Sequence, residues 1–166
     1  MATRNKMIQK SLIIQSLSTP DRLGYNDKIS IVRDDESMAF HCPCSACPNP
    51  YRPSDGAKWR DAYGWLACNT KETPYTWQCV ESPKHGKCLL LNGGGELPAR
   101  FPNSNHGGRA VVSEVEIHCG STEQWRGSAA CITLPPFIWL AFIGYFQLNE
   151  TGNLYVYDGS NMEKTI

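Results

Sequence analysis

The chain of 166 residues lacks an excess of either charge, with Lys plus Arg and Asp plus Glu at sixteen each. A balanced chain has no net field to draw it to nucleic acid or to an anionic membrane, so neither is expected as a partner. It also lacks a long apolar run. The longest, Pro135 to Phe146, falls well short of the roughly 18 to 20 residues needed to cross a bilayer. No transmembrane segment is expected, and this run reads instead as a buried helix opened by Pro135 and Pro136. The basic stretch Met1 to Lys10 is followed by an apolar run of only Leu12, Ile13 and Ile14, too short for a signal-peptide core. The chain has no internal repeat, heptad pattern or low-complexity tail, which excludes solenoids and coiled coils.

What is present points to strands. Fourteen Gly and eleven Pro punctuate a chain that is only 41% hydrophobic, a composition of short strands and long loops. We expect one domain over residues 1–166 with a β-rich α+β fold built on a mixed sheet or sandwich. Met7 to Arg33 reads as an opening hairpin, Val112 to His118 as a strand, and Leu154 to Tyr157 as a closing strand. Trp59, Tyr63, Trp65, Tyr75 and Trp77 read as short strands packing one face. Residues 34–90 read as a Cys-rich insertion, dominated by loops over 34–60 and adding little to the core.

Eight cysteines leave two readings of that insertion open. Cys44 and Cys47 have the two-residue spacing of a zinc knuckle, which Cys79 and Cys88 would complete as a tetrahedral sulfur site. Alternatively Cys42, Cys44, Cys47, Cys68, Cys79 and Cys88 form three disulfides, the favoured reading for a protein working outside a reducing cytoplasm. No other cofactor is expected.

The remaining signal is Cys131 with His118 thirteen residues upstream. A cysteine nucleophile needs a stabilised thiolate and a histidine to take its proton, and a fold usually brings the two together from separate segments. His118 ends a strand, and Gly127, Ser128, Ala129 and Ala130 leave the approach to Cys131 open. Small residues there also let backbone N–H groups come close to a substrate carbonyl, as an oxyanion hole requires.

Ile117-His118, a loop, then Ser128-Ala129-Ala130-Cys131-Ile132 resembles the signature of the YkuD-type L,D-transpeptidases and their shorter phage and secreted-toxin relatives. The resemblance covers residues 106 to 134, departing from the family pattern at Ala129, Ala130 and Thr133. It implies the family's fold, with one helix after the catalytic cysteine, and an enzyme acting on peptidoglycan. Cys131 would form a thioacyl intermediate with a stem peptide, His118 would be its base, and an amine or water acceptor would give transpeptidation or cleavage. Arg109 and His106 would lie over the site, with Arg109 suited to a stem-peptide carboxylate. Gly127, Ser128 and Thr133 would line the substrate. Such an enzyme acts in the periplasm or cell wall, and without a signal peptide it would arrive as a phage lysin or an injected toxin. Its partners would then include a phage particle or an immunity protein.

Two readings from other classes stay open. In one, a Cys119–Cys131 disulfide makes the pair structural in a cysteine-stapled phage structural or adhesion module that binds through the aromatics of residues 59 to 77; in the other, the cysteines of residues 42 to 88 build a zinc-stabilised intracellular interaction domain.

Overall fold

Leu12 and Ile14 are buried while Ser11 and Ile13 are only half-buried, the period-two pattern of a strand with one inward face. They lie in β1 (Lys10–Ser16) of the computed structural model, which describes residues 10–16, 24–46, 64–121 and 130–159. The opening hairpin is completed by β2 (Asp27–Arg33), antiparallel to β1 with Ile31 beside Leu12 and Ile29 beside Ile14. A tight turn leads to β3 (Met38–Cys44). The Asp35 carboxylate accepts from the Ser37 amide at 2.9 Å, and Glu36 takes a left-handed φ of 63°.

The hairpin β4 (Tyr75–Ser82) and β5 (Gly86–Leu91) follows, then a short ribbon of β6 (Leu97–Pro98) and β7 (Val111–Val112). After these come β8 (Glu116–Cys119), β9 (Ile132–Leu134), the helix α1 (Pro136–Ile143) and β10 (Thr151–Asp158). Eight strands form one mixed sheet in the order β3-β2-β1-β10-β4-β5-β8-β9. Among the described strands, only β1 with β10 and β8 with β9 run parallel. Backbone bonds of 2.8 and 3.0 Å between Ser45 and Thr133 tie the end of β3 to β9, so the sheet is nearly closed.

Its inner face carries Leu12, Ile29, Leu89, Ile117, Ile132 and Leu154, all fully buried. Each such side chain contributes about 1.5–3 kcal/mol relative to exposure. Trp77 sits among them, donating its indole N–H to the Asn153 carbonyl at 3.0 Å and meeting Phe146 edge-on at 5.0 Å. Lys10 braces the same end through its ion pair with Glu150 at 2.9 Å.

Several expectations are revised. The Cys-rich segment is no loop insertion, since residues 38–44, 75–82 and 86–91 are strands of the main sheet. The reason is that Cys42, Cys44, Cys79 and Cys88 are buried and act as small apolar side chains. Because Cys42, Cys68, Cys79 and Cys88 carry thiols, the three-disulfide framework does not form. The strand read over Val112 to His118 breaks at Glu114, whose φ is 53°, so that its two halves pair with different partners. Helix α1 is buried on one side only, with Phe142 and Ile143 inside and Phe137 and Leu140 at 73% and 80% exposure. Trp65, Tyr75 and Trp77 are core residues, which removes them from any aromatic binding face. Trp59 and Tyr63 lie outside the described residues. Among the described residues, no helix is long and apolar enough to cross a membrane.

Gly152 lies directly beside Trp77 in the β10–β4 register. A Cβ there would sit 2.5 Å from Trp77 Cζ2 and against the Lys10 carbonyl. Gly152→Ala is therefore expected to lower unfolding free energy by about 1–3 kcal/mol, the usual range for overpacking a close-packed site. Urea denaturation measures this, and a neutral result would contradict the packing of Trp77 over β10.

Candidate thiol and imidazole site

In a pleated sheet, residues that pair side by side point to the same face. Leu89 pairs with Ile117, and Ile117 with Ile132, so these three share the inner face. Their sequence neighbours therefore share the outer face: Leu90, Glu116 and His118, then Cys131 and Thr133. The register sets Thr133 beside His118 and brings Cys131 next to Glu116. The contacts agree, since the Glu116 amide donates to Cys131 Sγ at 3.4 Å and the Cys131 thiol points to the Glu114 carbonyl at 3.8 Å.

Leu90, Glu116 and Cys131 of this face border a cleft of about 490 Å³. Lys84, His85, Glu114, Glu116 and Cys131 supply its polar wall, with Leu90 and the Gly93–Gly94 turn completing it. Ser82 shapes the β4–β5 turn by accepting from the amides of Lys84 and His85, each at 3.3 Å, and Gly86 closes it at a φ of 67°. That turn delivers His85 to His118. The two rings stack at 3.7 Å between centroids and 5° between planes, and His85 Nδ1 lies 2.5 Å from the Glu116 carboxylate.

His118 is buried, with 5% of its surface exposed. Its Nδ1 lies 2.7 Å from the Cys119 carbonyl. A carbonyl only accepts, so Nδ1 carries the proton and Nε2 keeps its lone pair. Burial, and after it the neighbouring His85, pulls the imidazole down to about 4, so it is neutral at pH 7. Burial also pushes the Cys131 thiol up, while the Glu116 amide bond works the other way. At rest the pair is thus an uncharged thiol and an uncharged base. No hydrogen bond joins them in this conformation; His118 is engaged by Cys119 and His85. Catalytic hydrogen bonds commonly tighten only once substrate is bound.

Other expected site residues lie elsewhere. Arg109 is gripped by both oxygens of Glu96 at 2.9 Å on the surface and is not part of the cleft wall. His106, in a 3-10 turn over Ser104–His106, has its Nε2 at 3.4 Å from the Ser113 hydroxyl. Thr133 is fully buried, which puts its hydroxyl out of reach of a substrate in this conformation. Gly127 and Ser128 lie outside the described residues. Cys119 occupies the opposite face from Cys131 and its thiol points to the Gly120 carbonyl at 3.4 Å, so no disulfide links the two. Of the cysteines in the zinc reading, Cys44 lies at the end of β3. Cys79 pairs with Leu89 and Cys88 with Val80, placing these two on opposite faces, while Cys47 lies outside the described residues. Among the described residues no three His, Cys, Asp or Glu side chains converge as metal ligands.

Sequence reasoning missed His85, Glu116 and Lys84. Glu116 was within reach, because two residues before His118 on a strand means the same face. His85 was not, because its contact depends on how β5 registers against β8.

The depressed His118 imidazole has a consequence for stability. A histidine of ordinary pKa near 6.5 binds a proton in the unfolded chain that the folded protein refuses until about 4. Stability present at neutral pH is therefore lost as pH falls through that window, by about 2 kcal/mol between pH 7 and pH 5. Denaturant titrations at the two pH values measure the loss, and His118→Gln is expected to remove most of it. No family model, curated protein or solved structure matches the chain.

Proposed function

We propose that the protein is a cysteine-dependent acyl transferase or peptidase acting on peptidoglycan stem peptides, in the manner of the L,D-transpeptidases that its Ile117-His118 and Ser128-to-Ile132 segments resemble. The observation that carries the reading is the parallel pairing of β8 with the lead into β9, which sets His118 and Cys131 on one face, with Cys131 lining a cleft. A mixed, nearly closed sheet with a helix after the cysteine is compatible with that family's fold.

In this mechanism Cys131 Sγ attacks the acyl carbonyl of the stem peptide as its proton passes to His118 Nε2. The imidazolium then protonates the departing amine, leaving a thioester on Cys131. An incoming amine gives a crosslink, and water gives cleavage. Because both groups are neutral at rest, proton transfer accompanies attack. The Lys84 ammonium, which lines the cleft and has no ion pair among the described residues, replaces Arg109 as the group that suits a terminal carboxylate. The site of action implied is the periplasm or cell wall.

Purified peptidoglycan or a stem tetrapeptide, incubated with the protein and followed by mass spectrometry, tests this. Product and an acyl adduct on Cys131 are expected for the wild type. Cys131→Ala should abolish both, and His118→Ala should slow turnover by about 10²-fold or more. Absence of product from the wild type, or equal activity in the variants, would sink the proposal. The same assay separates the two cations: Lys84→Gln should raise KM about tenfold, a loss of about 1.4 kcal/mol, and Arg109→Ala should not.

A further inference from the structure

Four contacts run in series across the outer face. The Glu116 amide donates to Cys131 Sγ at 3.4 Å, and the Glu116 carboxylate meets His85 Nδ1 at 2.5 Å. The His85 ring stacks on His118 at 3.7 Å, and His118 Nδ1–H donates to the Cys119 carbonyl at 2.7 Å. We infer that His85 is a positioning residue for His118: anchored to Glu116, it holds the plane of the His118 ring so that Nδ1–H stays on Cys119 and Nε2 stays available. This deepens the reading of His118 as the base of Cys131 and rests on it.

The physical argument is rotational. A buried imidazole with one hydrogen bond has a soft torsion about its Cβ–Cγ bond. A flat ring at van der Waals contact, with planes 5° apart, blocks that torsion because rotation would drive one ring through the other. The blocking ring is itself fixed, since His85 and Glu116 are only 21% and 17% exposed and share a charge-assisted bond. The orientation matters because a flipped or tautomerised imidazole presents N–H where a lone pair is needed. In serine hydrolases the wrong tautomer lowers turnover by about 10⁴-fold. The groups facing His118 are His85 and Lys84 from the β4–β5 turn and Glu116 on its own strand, so any pH response involves these together.

The test is nitrogen-15 NMR of the His118 imidazole in wild type, His85→Ala and His85→Phe, beside the rate of Cys131 alkylation by iodoacetamide from pH 5 to 9. Wild type should show the Nδ1–H tautomer alone. His85→Ala should show a tautomer mixture, a titration midpoint raised by about one unit as packing is lost, and alkylation at pH 7 about tenfold slower. His85→Phe keeps the stacking face and should restore the single tautomer and a rate within about twofold of wild type. An unchanged tautomer in His85→Ala overturns the inference, as does failure of Phe to rescue in a folded variant. The NMR readout does not depend on substrate, so a tautomer shift without stem-peptide turnover would leave the positioning role standing while the peptidoglycan reading falls.

Discussion

The parallel pairing of β8 with β9 governs everything on the outer face. Side chains alternate with a period of two, so a slip of one residue would turn Cys131 into the core and bring an aliphatic residue to the cleft. Ile117 and Ile132, both fully buried and side by side, oppose that slip. A three-residue strand such as β9 has little pairing energy of its own. It is held from its other side as well, by the reciprocal bonds between Ser45 and Thr133. The closure of the sheet and the placement of the thiol are thus the same fact, and the thiol depends on a strand that would otherwise be a loose edge.

Burial at that edge acts on both reactive groups in the same sense. It raises the thiol and lowers the imidazole, moving each toward its neutral form. A preformed thiolate–imidazolium pair would need charges that the site disfavours at rest. Two features temper the cost of a transient thiolate: the Glu116 amide aimed at the sulfur and the positive charge of Lys84 nearby. In the proposed mechanism, the base would act during attack, with His118 Nε2 in a buried ring.

Much of the sheet is legible in the sequence because inward residues alternate plainly: Leu12 with Ile14, Ile29 with Ile31, Tyr75 with Trp77 and Cys79. The Pro135-Pro136 pair likewise marks the start of α1. The Cys-rich segment misled for a chemical reason. Phe40-His41-Cys42-Pro43-Cys44 is a strand pattern if cysteine is counted as apolar, and a ligand or crosslink pattern if it is counted as reactive. His118 and Cys131 stand out in the sequence by their order along the chain, and the register puts them on one face. Their surroundings were not, since Glu96 claiming Arg109 and His85 stacking on His118 both join segments whose proximity only the assembled sheet creates.

The peptide between Cys119 and Gly120 shows how closely ladder and chemistry are coupled. Its carbonyl accepts the His118 Nδ1–H at 2.7 Å, while its N–H donates to Leu134 of β9 at 2.8 Å. A peptide unit is planar, so fixing the N–H fixes the direction of the carbonyl. The β8–β9 ladder therefore orients the acceptor that selects the tautomer of the base, in addition to aligning the cysteine. Glycine suits residue 120 because a Cβ there would run into the Tyr25 hydroxyl. One backbone bond thus transmits the register of the short strand to the lone pair on Nε2. A change that loosens β9 would disturb the base before it exposed the core.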